Sequence, residues 1–485
     1  MNNKILSSSM WSIASELISK VIGPIGFIIL TKVLSPSDFG IVAIASTILG
    51  FVYLVSDLGI GKVIIQETGD KCHLDEIYNG SFWINTLMGI MLSSMMFLFS
   101  ENLALIFGNV ESSSVIKVMA IQAFLYSISA LQLADRKKKF DFKFLFYLRL
   151  ITVATPLFIS LPFAFAGWGY WAIVWGQILG AALSTLFLWL KSEWKPSFRF
   201  SFLRLKDLLT KSGWNSIEQF FIWVPIALDT YFISKNLSFK ELGMYSTSKT
   251  LFSTAISLTL GAIMPVLYSH FSNIKFDEIR FKTAILFSQK LIFFLSSFLG
   301  LVVFIYSNLI EKIIFNSEWL GISNVFGIMF LILGFEYFFG ALVEGLRSKG
   351  YFRITALNST VVTFISIPIL FYSIGFGLVV YVIVRSMLLL LIAPTIFYFS
   401  KKYIGISFYE CLLNCKYILF CILFVLISSF IVNFIFDTLS VLRYFINAVI
   451  FGFSFFIMYY FEKEEVIKIK KMFTKKQTNN NNDSN

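Results

Sequence analysis

Fourteen stretches of about 20 predominantly apolar residues follow one another along this chain of 485 residues, each long enough to cross a bilayer's hydrocarbon core as a helix. They run 11–33, 40–60, 80–100, 114–133, 150–167, 169–190, 213–234, 243–268, 283–306, 321–345, 352–373, 377–399, 416–436 and 441–460. Backbone amides in lipid must pair within their own segment, so such segments fold as helices. The expected class is therefore an all-α polytopic membrane protein with about 14 transmembrane helices. Charge agrees: Asp, Glu, Lys and Arg make up 14% of the chain, against about 25% in soluble domains.

A repeat adds the internal organisation. Residues 11–47 return in diluted form 203 positions later as residues 214–250, with Lys32, Leu34, Ser35, Gly40 and Thr47 falling on Lys235, Leu237, Ser238, Gly243 and Thr250. Trp11 falls on Trp214, and Asp38 meets Glu241. The matches that carry weight sit in the polar turn, because apolar segments resemble one another by chance. Six spans separate the copies, so both keep one orientation, and an axis along the membrane normal is expected to relate the halves. This predicts two six-helix lobes, residues 1–200 and 201–405, two further transmembrane helices in 406–462, and a basic, disordered tail over 463–485. Substrate sites in such architectures lie between the halves near mid-membrane.

Lys and Arg fix the orientation, since cytoplasmic loops are enriched in them. With the N-terminus inside, inner segments hold 30 of these residues and outer loops 4, so both termini are expected in the cytoplasm. The net charge of +12 is then a topology signal; no nucleic-acid motif accompanies it. The segment 135–149 mixes cations with aromatics and can lie in the interface as an amphipathic helix near anionic headgroups, although the positive-inside rule alone also explains it.

Other classes find little support. The first apolar segment carries Glu16 and Lys20 and lacks a small-residue cleavage site, so it is expected to stay as the first span. Four cysteines and two histidines, His73 and His270, both expected in loops, supply neither a disulfide framework nor a metal centre. No phosphate-binding loop or catalytic signature is present, and the longest outer loop, about 101–113, leaves no room for a catalytic domain. Such a chain moves something rather than converts it, and no metal or organic cofactor is expected.

Ionisable groups within spans face a bundle interior or an aqueous cavity, because lipid exposure costs several kcal/mol. Lys20 sits about 14 Å into the first span, near the midplane, at 1.5 Å per residue. Glu16, one turn earlier, can pair with it, so Lys20 reads either as half of a structural pair or as a cavity cation. Glu218, Pro225 and Asp229 share one stripe of the seventh span, on a helix that the proline allows to bend. That stripe suits proton or sodium coupling, whereas Asp229, toward the outer end, also reads as an interfacial charge. Lys249, Lys290 and Arg385 are further cations within spans. Glu336, Glu344, Asp57 and Lys117 complete the set, and Glu344 can pair with Arg347 or Lys349.

The run Leu-Thr-Lys-Val-Leu-Ser-Pro-Ser-Asp-Phe-Gly from Leu30, the segment Asp57-Leu-Gly-Ile-Gly, and Leu-Gly-Met-Tyr-Ser-Thr-Ser-Lys-Thr-Leu from Leu242 resemble the Wzx-like polysaccharide flippases of the multidrug/oligosaccharidyl-lipid/polysaccharide exporter superfamily. The resemblance covers roughly residues 8–460. It implies a two-lobed bacterial inner-membrane transporter that moves undecaprenyl-diphosphate-linked oligosaccharides to the outer leaflet for O-antigen, capsule or exopolysaccharide. It also implies cavity cations on the first helices of each half, where Lys20 and Lys249 stand, with Arg385 and Lys290 as further candidates. Coupling to H+ or Na+ is implied as well, with Glu16, Glu218, Asp229 and Asp57 as candidate couplers. Expected partners are the lipid-linked substrate, membrane lipids, and a polysaccharide polymerase or other assembly proteins. A cation-coupled multidrug exporter would place carboxylates in the cavity, and a lipid II flippase would carry more cavity arginines; these are the alternatives.

Overall fold

The computed structural model describes residues 2–57, 61, 64, 70–261, 263–436, 441–457 and 460. Among them no strand occurs. The helices are α1 (Asn2–Val33), α2 (Pro36–Asp57), α3 (Lys71–Leu98), α4 (Ser100–Ile106), α5 (Ser112–Lys138), α6 (Phe142–Phe165) and α7 (Tyr170–Leu190). Next come α8 (Phe202–Asn236), α9 (Phe239–Thr259), α10 (Ile263–Ile274), α11 (Glu278–Ile305), α12 (Ser307–Ile314), α13 (Ile322–Tyr337) and α14 (Gly340–Ser348). The chain continues through α15 (Phe352–Ser373), α16 (Leu378–Leu388), α17 (Ala393–Tyr403), α18 (Phe408–Asn414) and α19 (Lys416–Ile435), and α20 is Val441–Ile457.

Nine helices among the described residues are long and apolar enough to cross a membrane, or up to eleven if two interrupted pairs each count as one span. The fourteen expected segments are consistent with this. α20 is shorter, and several side chains of α1 and α8 lie outside the described residues, as does the tail beyond 460. The lipid-facing character is visible in α6, where only 17% of the most apolar window is buried and Phe158 and Phe165 stand exposed. Water would not tolerate so continuous an apolar surface.

The chain divides into two compact units, one of residues 1–258, 311–326 and 359–388, the other of 259–310, 327–358 and 389–485. Within the first, α6 packs against α1 and α7, α3 against α5, α5 against α2 and α7, and α2 against α8.

The repeated turn explains how the first unit closes. Ser35 precedes α2; its amide and hydroxyl both donate to Asp38 Oδ2, at 2.9 and 2.7 Å, while the Asp38 amide donates back to Ser35 Oγ at 3.2 Å. Ser238 and Glu241 build the same network ahead of α9, at 3.0, 2.9 and 3.2 Å. Each is a capping box that satisfies amides otherwise orphaned at a helix start. The two turns also face each other. A methyl group on Gly40 would stand 2.2 Å from the Phe239 carbonyl oxygen, and one on Gly243 would stand 1.7 Å from that of Pro36. Pro36 and Phe239 are themselves equivalent at the offset of 203, so the contact is reciprocal, as a two-fold relation requires. Trp319, fully buried, covers this junction, donating its indole N–H to the Leu34 carbonyl at 3.0 Å and packing edge-on against Phe39.

Asp38 has a second task. Its Oδ1 accepts the Tyr170 amide at 2.8 Å and so ties the turn to the α6–α7 hairpin. Gly167 and Gly169 make that hairpin with φ of 82° and 53°, values that side chains with a Cβ resist.

In the second unit, α11 packs against α14 and α19. Small residues let it approach α13 closely as well: a methyl on Gly300 would meet the Phe330 carbonyl at 2.2 Å, and one on Gly334 would meet Ser297 Oγ at 2.2 Å. This is the usual way in which membrane helices gain contact area. Lys282 reaches Glu410 at 2.6 Å, and Glu410 completes a capping box with Ser407 at the start of α18.

Three expectations are corrected. Segment 135–149 is a corner between two spans, not an in-plane helix. Helix α5 runs to Lys138, Phe140 turns the chain at φ 54°, and the Asp141 carboxylate accepts from the Phe144 amide to start α6. Its charges pair locally, Arg136 with Asp141 at 3.0 Å and Lys139 with Asp135 at 2.9 Å. His270 lies within α10 rather than in a loop; His73 lies in α3, and its side chain is outside the described residues. The eighth and tenth expected spans are each interrupted, between Thr259 and Ile263 and between Tyr337 and Gly340, where glycines lower helix propensity.

Candidate functional site

Asp229 sits on α8, one turn beyond Pro225, a proline that leaves a backbone carbonyl of the preceding turn without its donor. Only 1% of its surface is exposed. A buried carboxylate is tolerated when it is paired and fully hydrogen-bonded, and Asp229 meets both conditions. Its Oδ2 accepts from Tyr245 Oη at 2.7 Å and from Lys249 Nζ at 3.0 Å. Its Oδ1 accepts from Tyr381 Oη at 2.8 Å and from Arg385 Nε at 2.9 Å.

The donors come in two matching sets. Tyr245 and Lys249 are one helical turn apart on α9, and Tyr381 and Arg385 one turn apart on α16, so each set presents a hydroxyl and a cation on one face. Each carboxylate oxygen thus receives one of each. The Tyr245 and Tyr381 rings meet edge-on at 6.1 Å, and Lys249 Nζ lies 5.5 Å over the Tyr245 ring. With one carboxylate and two cations the cluster carries a formal charge of +1.

Beside it lies a cavity of about 800 Å³ bounded by α1, α2, α6, α7, α8 and α9. Lys249 and Tyr245 line it together with Trp223, Thr230 and Gln177, and among the described lining residues the one charge is the Lys249 ammonium. Lys249 is 36% exposed in its side chain, whereas Arg385 is 20% exposed. Lys249 is therefore shared between the carboxylate and the cavity. The opposite wall is pinned to α8: the Trp223 indole donates to the Thr47 carbonyl at 3.0 Å, and the Thr47 and Thr230 hydroxyls lie 3.0 Å apart.

Of the residues singled out in the sequence, the structure brings together Asp229, Lys249 and Arg385. Asp229 is buried among four donors. Lys20, on α1, donates to the Ser257 carbonyl of α9 at 2.8 Å, within the last turn of that helix. Lys290 is on α11 in the second unit, outside the cluster. Lys117 pairs with Glu101 at 3.2 Å, and Glu344 with Arg347 at 2.9 Å. The side chains of Glu16, Asp57 and Glu218 lie outside the described residues. Sequence reasoning missed Tyr245 and Tyr381. The signal was present as tyrosine four residues before a cation in two different spans.

Solved structures share this bundle of apolar helices around a cavity. The chain superposes on the lipid II flippase MurJ in an inward closed conformation with a TM-score of 0.76, at 14% identity, covering 94% of this chain and 99% of that one. It also superposes on a multidrug resistance MATE family transporter in an inward-facing conformation with a TM-score of 0.69, at 14% identity, covering 81% and 98%. These likenesses are of fold.

The chain belongs to the polysaccharide biosynthesis protein family, whose model matches residues 29–324. It is 22% identical over 324 residues to the succinoglycan biosynthesis transport protein ExoT of Rhizobium meliloti (strain 1021), covering 67% of this chain and 65% of that protein. It is 21% identical over 340 residues to the lipopolysaccharide biosynthesis protein WzxC of Escherichia coli (strain K12), covering 68% and 67%. The matches thus span about two thirds of the length of these relatives.

Proposed function

We propose that this protein is a flippase that carries undecaprenyl-diphosphate-linked oligosaccharide units across the bacterial cytoplasmic membrane for surface polysaccharide assembly. The observation that carries this reading is Lys249, held by a buried carboxylate on one side and open on the other to a cavity in which it is the one charge among the described lining residues. A lipid diphosphate is an anion. At the cavity wall it competes with Asp229 for the ammonium, while Tyr245, Tyr381 and Arg385 keep the carboxylate satisfied. The +1 charge of the cluster favours the anion, and the half-buried Trp223 ring at the cavity wall offers a face on which a sugar ring can pack. On release of the substrate, Asp229 takes Lys249 back.

In this reading residues 1–200 and 201–405 form the two rocking lobes, with 406–462 appended and both termini in the cytoplasm, in line with the distribution of Lys and Arg. Lys20 supplies a second cation on α1. Asp229 acts as the internal counter-ion, and a proton or sodium gradient acts through Glu16, Glu218 or Asp57. The product is delivered to a polysaccharide polymerase on the outer side. Relatives named for succinoglycan transport and lipopolysaccharide biosynthesis support the substrate class.

The test is translocation by the purified chain in liposomes loaded with a labelled undecaprenyl-diphosphate oligosaccharide, lipid II or an organic cation. Movement of the oligosaccharide lipid is expected. Movement of lipid II or the organic cation in its place would overturn the assignment.

A further inference from the structure

A second cavity, of about 440 Å³, opens at the corner where α5 turns into α6 and α7 ends. Its lining includes Lys143 and Lys191, both exposed, and Asp141. Asp141 is already committed: it bridges to Arg136 at 3.0 Å and accepts the Phe144 amide at 3.2 Å. Arg136 in turn donates to the Lys191 carbonyl and covers the Phe144 ring at 4.5 Å. No carboxylate among the described residues pairs with Lys143 or Lys191; Lys143 lies 6.0 Å over the Trp11 ring. The mouth therefore holds two cations without a carboxylate partner among the described residues, Lys143 in the first turn of the 24-residue α6 and Lys191 at the C-cap of α7.

Below the mouth the wall turns apolar. Phe144 and Phe187 stack at 4.8 Å, and Tyr147, Leu150 and Ile151 carry the groove along α6. Lys143 to Ile151 is eight residues, about 12 Å of helix, a length that an acyl chain can follow from its headgroup. A free anion would use the lysines and leave this wall empty. A neutral lipid would use the wall and leave the lysines unpaired.

We propose that this groove binds an anionic phospholipid, with its phosphate between Lys143 and Lys191 and one acyl chain along Tyr147, Leu150 and Ile151. Its assignment to the cytoplasmic leaflet rests on the orientation proposed above; the binding itself does not.

Binding is read from the purified full chain in micelles doped with phosphatidylglycerol or phosphatidylcholine, by lipid retained in native mass spectrometry and by the shift in melting temperature. Phosphatidylglycerol is expected to be retained and to raise the melting temperature, and phosphatidylcholine to do neither. The Lys143→Gln/Lys191→Gln variant is expected to bind about tenfold or more weakly, each lysine near an anionic surface contributing on the order of 1 kcal/mol. Lys32→Gln/Lys235→Gln, exposed lysines at the repeated turns and not among the groove's lining residues, should match the wild type. Equal retention by the groove variant, equal loss in the control variant, or the same stabilisation by inorganic phosphate would each overturn the proposal. Transport plays no part in these readings, so failure of the flippase assignment would leave them intact.

Discussion

Arg385 Nε lies 2.9 Å from Asp229 Oδ1 although 156 positions separate the two residues. The pair joins α8 to α16, and Lys249, on the other carboxylate oxygen, joins both to α9. A buried ion pair of this kind adds little stability compared with an apolar core, but removing one member leaves the others buried without compensation.

Asp229→Asn should therefore destabilise the protein by about 3–5 kcal/mol, the range for breaking a buried pair. Thermal unfolding in detergent measures it. The Asp229→Asn/Arg385→Gln double variant should cost clearly less than the sum of the two single changes, because the residues share one network. Simple additivity would mean that the cluster is not a unit.

The reciprocal turn contact makes a sharper structural prediction. Gly243→Ala would drive a methyl to within 1.7 Å of the Pro36 carbonyl oxygen, a backbone atom with no freedom to withdraw locally. Folded protein in the membrane fraction should fall steeply. Gly452→Ala on α20, where nothing lies within 4 Å, should leave the yield unchanged, and a similar loss in both would argue against the contact.

Glu410, in the segment between α17 and α19, titrates below the ordinary glutamate range, because Lys282 donates to it and the Ser407 amide adds a second bond. Its folded value is depressed, so its contribution is complete above the unfolded value of about 4.3. It is lost as pH falls below that value and through the folded one. Melting temperature plotted from pH 7 to 3 should drop less steeply below about pH 4.5 in Glu410→Gln than in the wild type. Parallel curves would show that the pair contributes nothing.

The helices and the repeat were legible in the sequence because both rest on local patterns. Apolar run length sets the spans, and Ser35 with Asp38 or Ser238 with Glu241 sets the turns. Lys249, Arg385 and Asp229 were each legible as costly charges within spans, but their meeting was not. It depends on how α8, α9 and α16 pack, and Tyr245 and Tyr381 look like ordinary membrane aromatics until a carboxylate is placed between them. The interruptions after Thr259 and Tyr337 were hidden for a related reason: apolar residues continue across both, so hydropathy reads through them. The charges of segment 135–149 left an in-plane helix and a plain cytoplasmic turn both open, because Phe140 and Asp141 decide the corner through backbone geometry and capping, which composition does not show.

In the proposed flippase, Lys249 is passed between Asp229 and the substrate. The measurement that tests this most directly is the affinity of the purified protein for an undecaprenyl-diphosphate oligosaccharide, compared between the wild type, Lys249→Gln and the remote surface variant Lys312→Gln. Lys249→Gln is expected to weaken binding by about tenfold or more, as loss of a charge-assisted contact to phosphate does, while Lys312→Gln binds as the wild type. Undiminished affinity in a folded Lys249→Gln protein would contradict it.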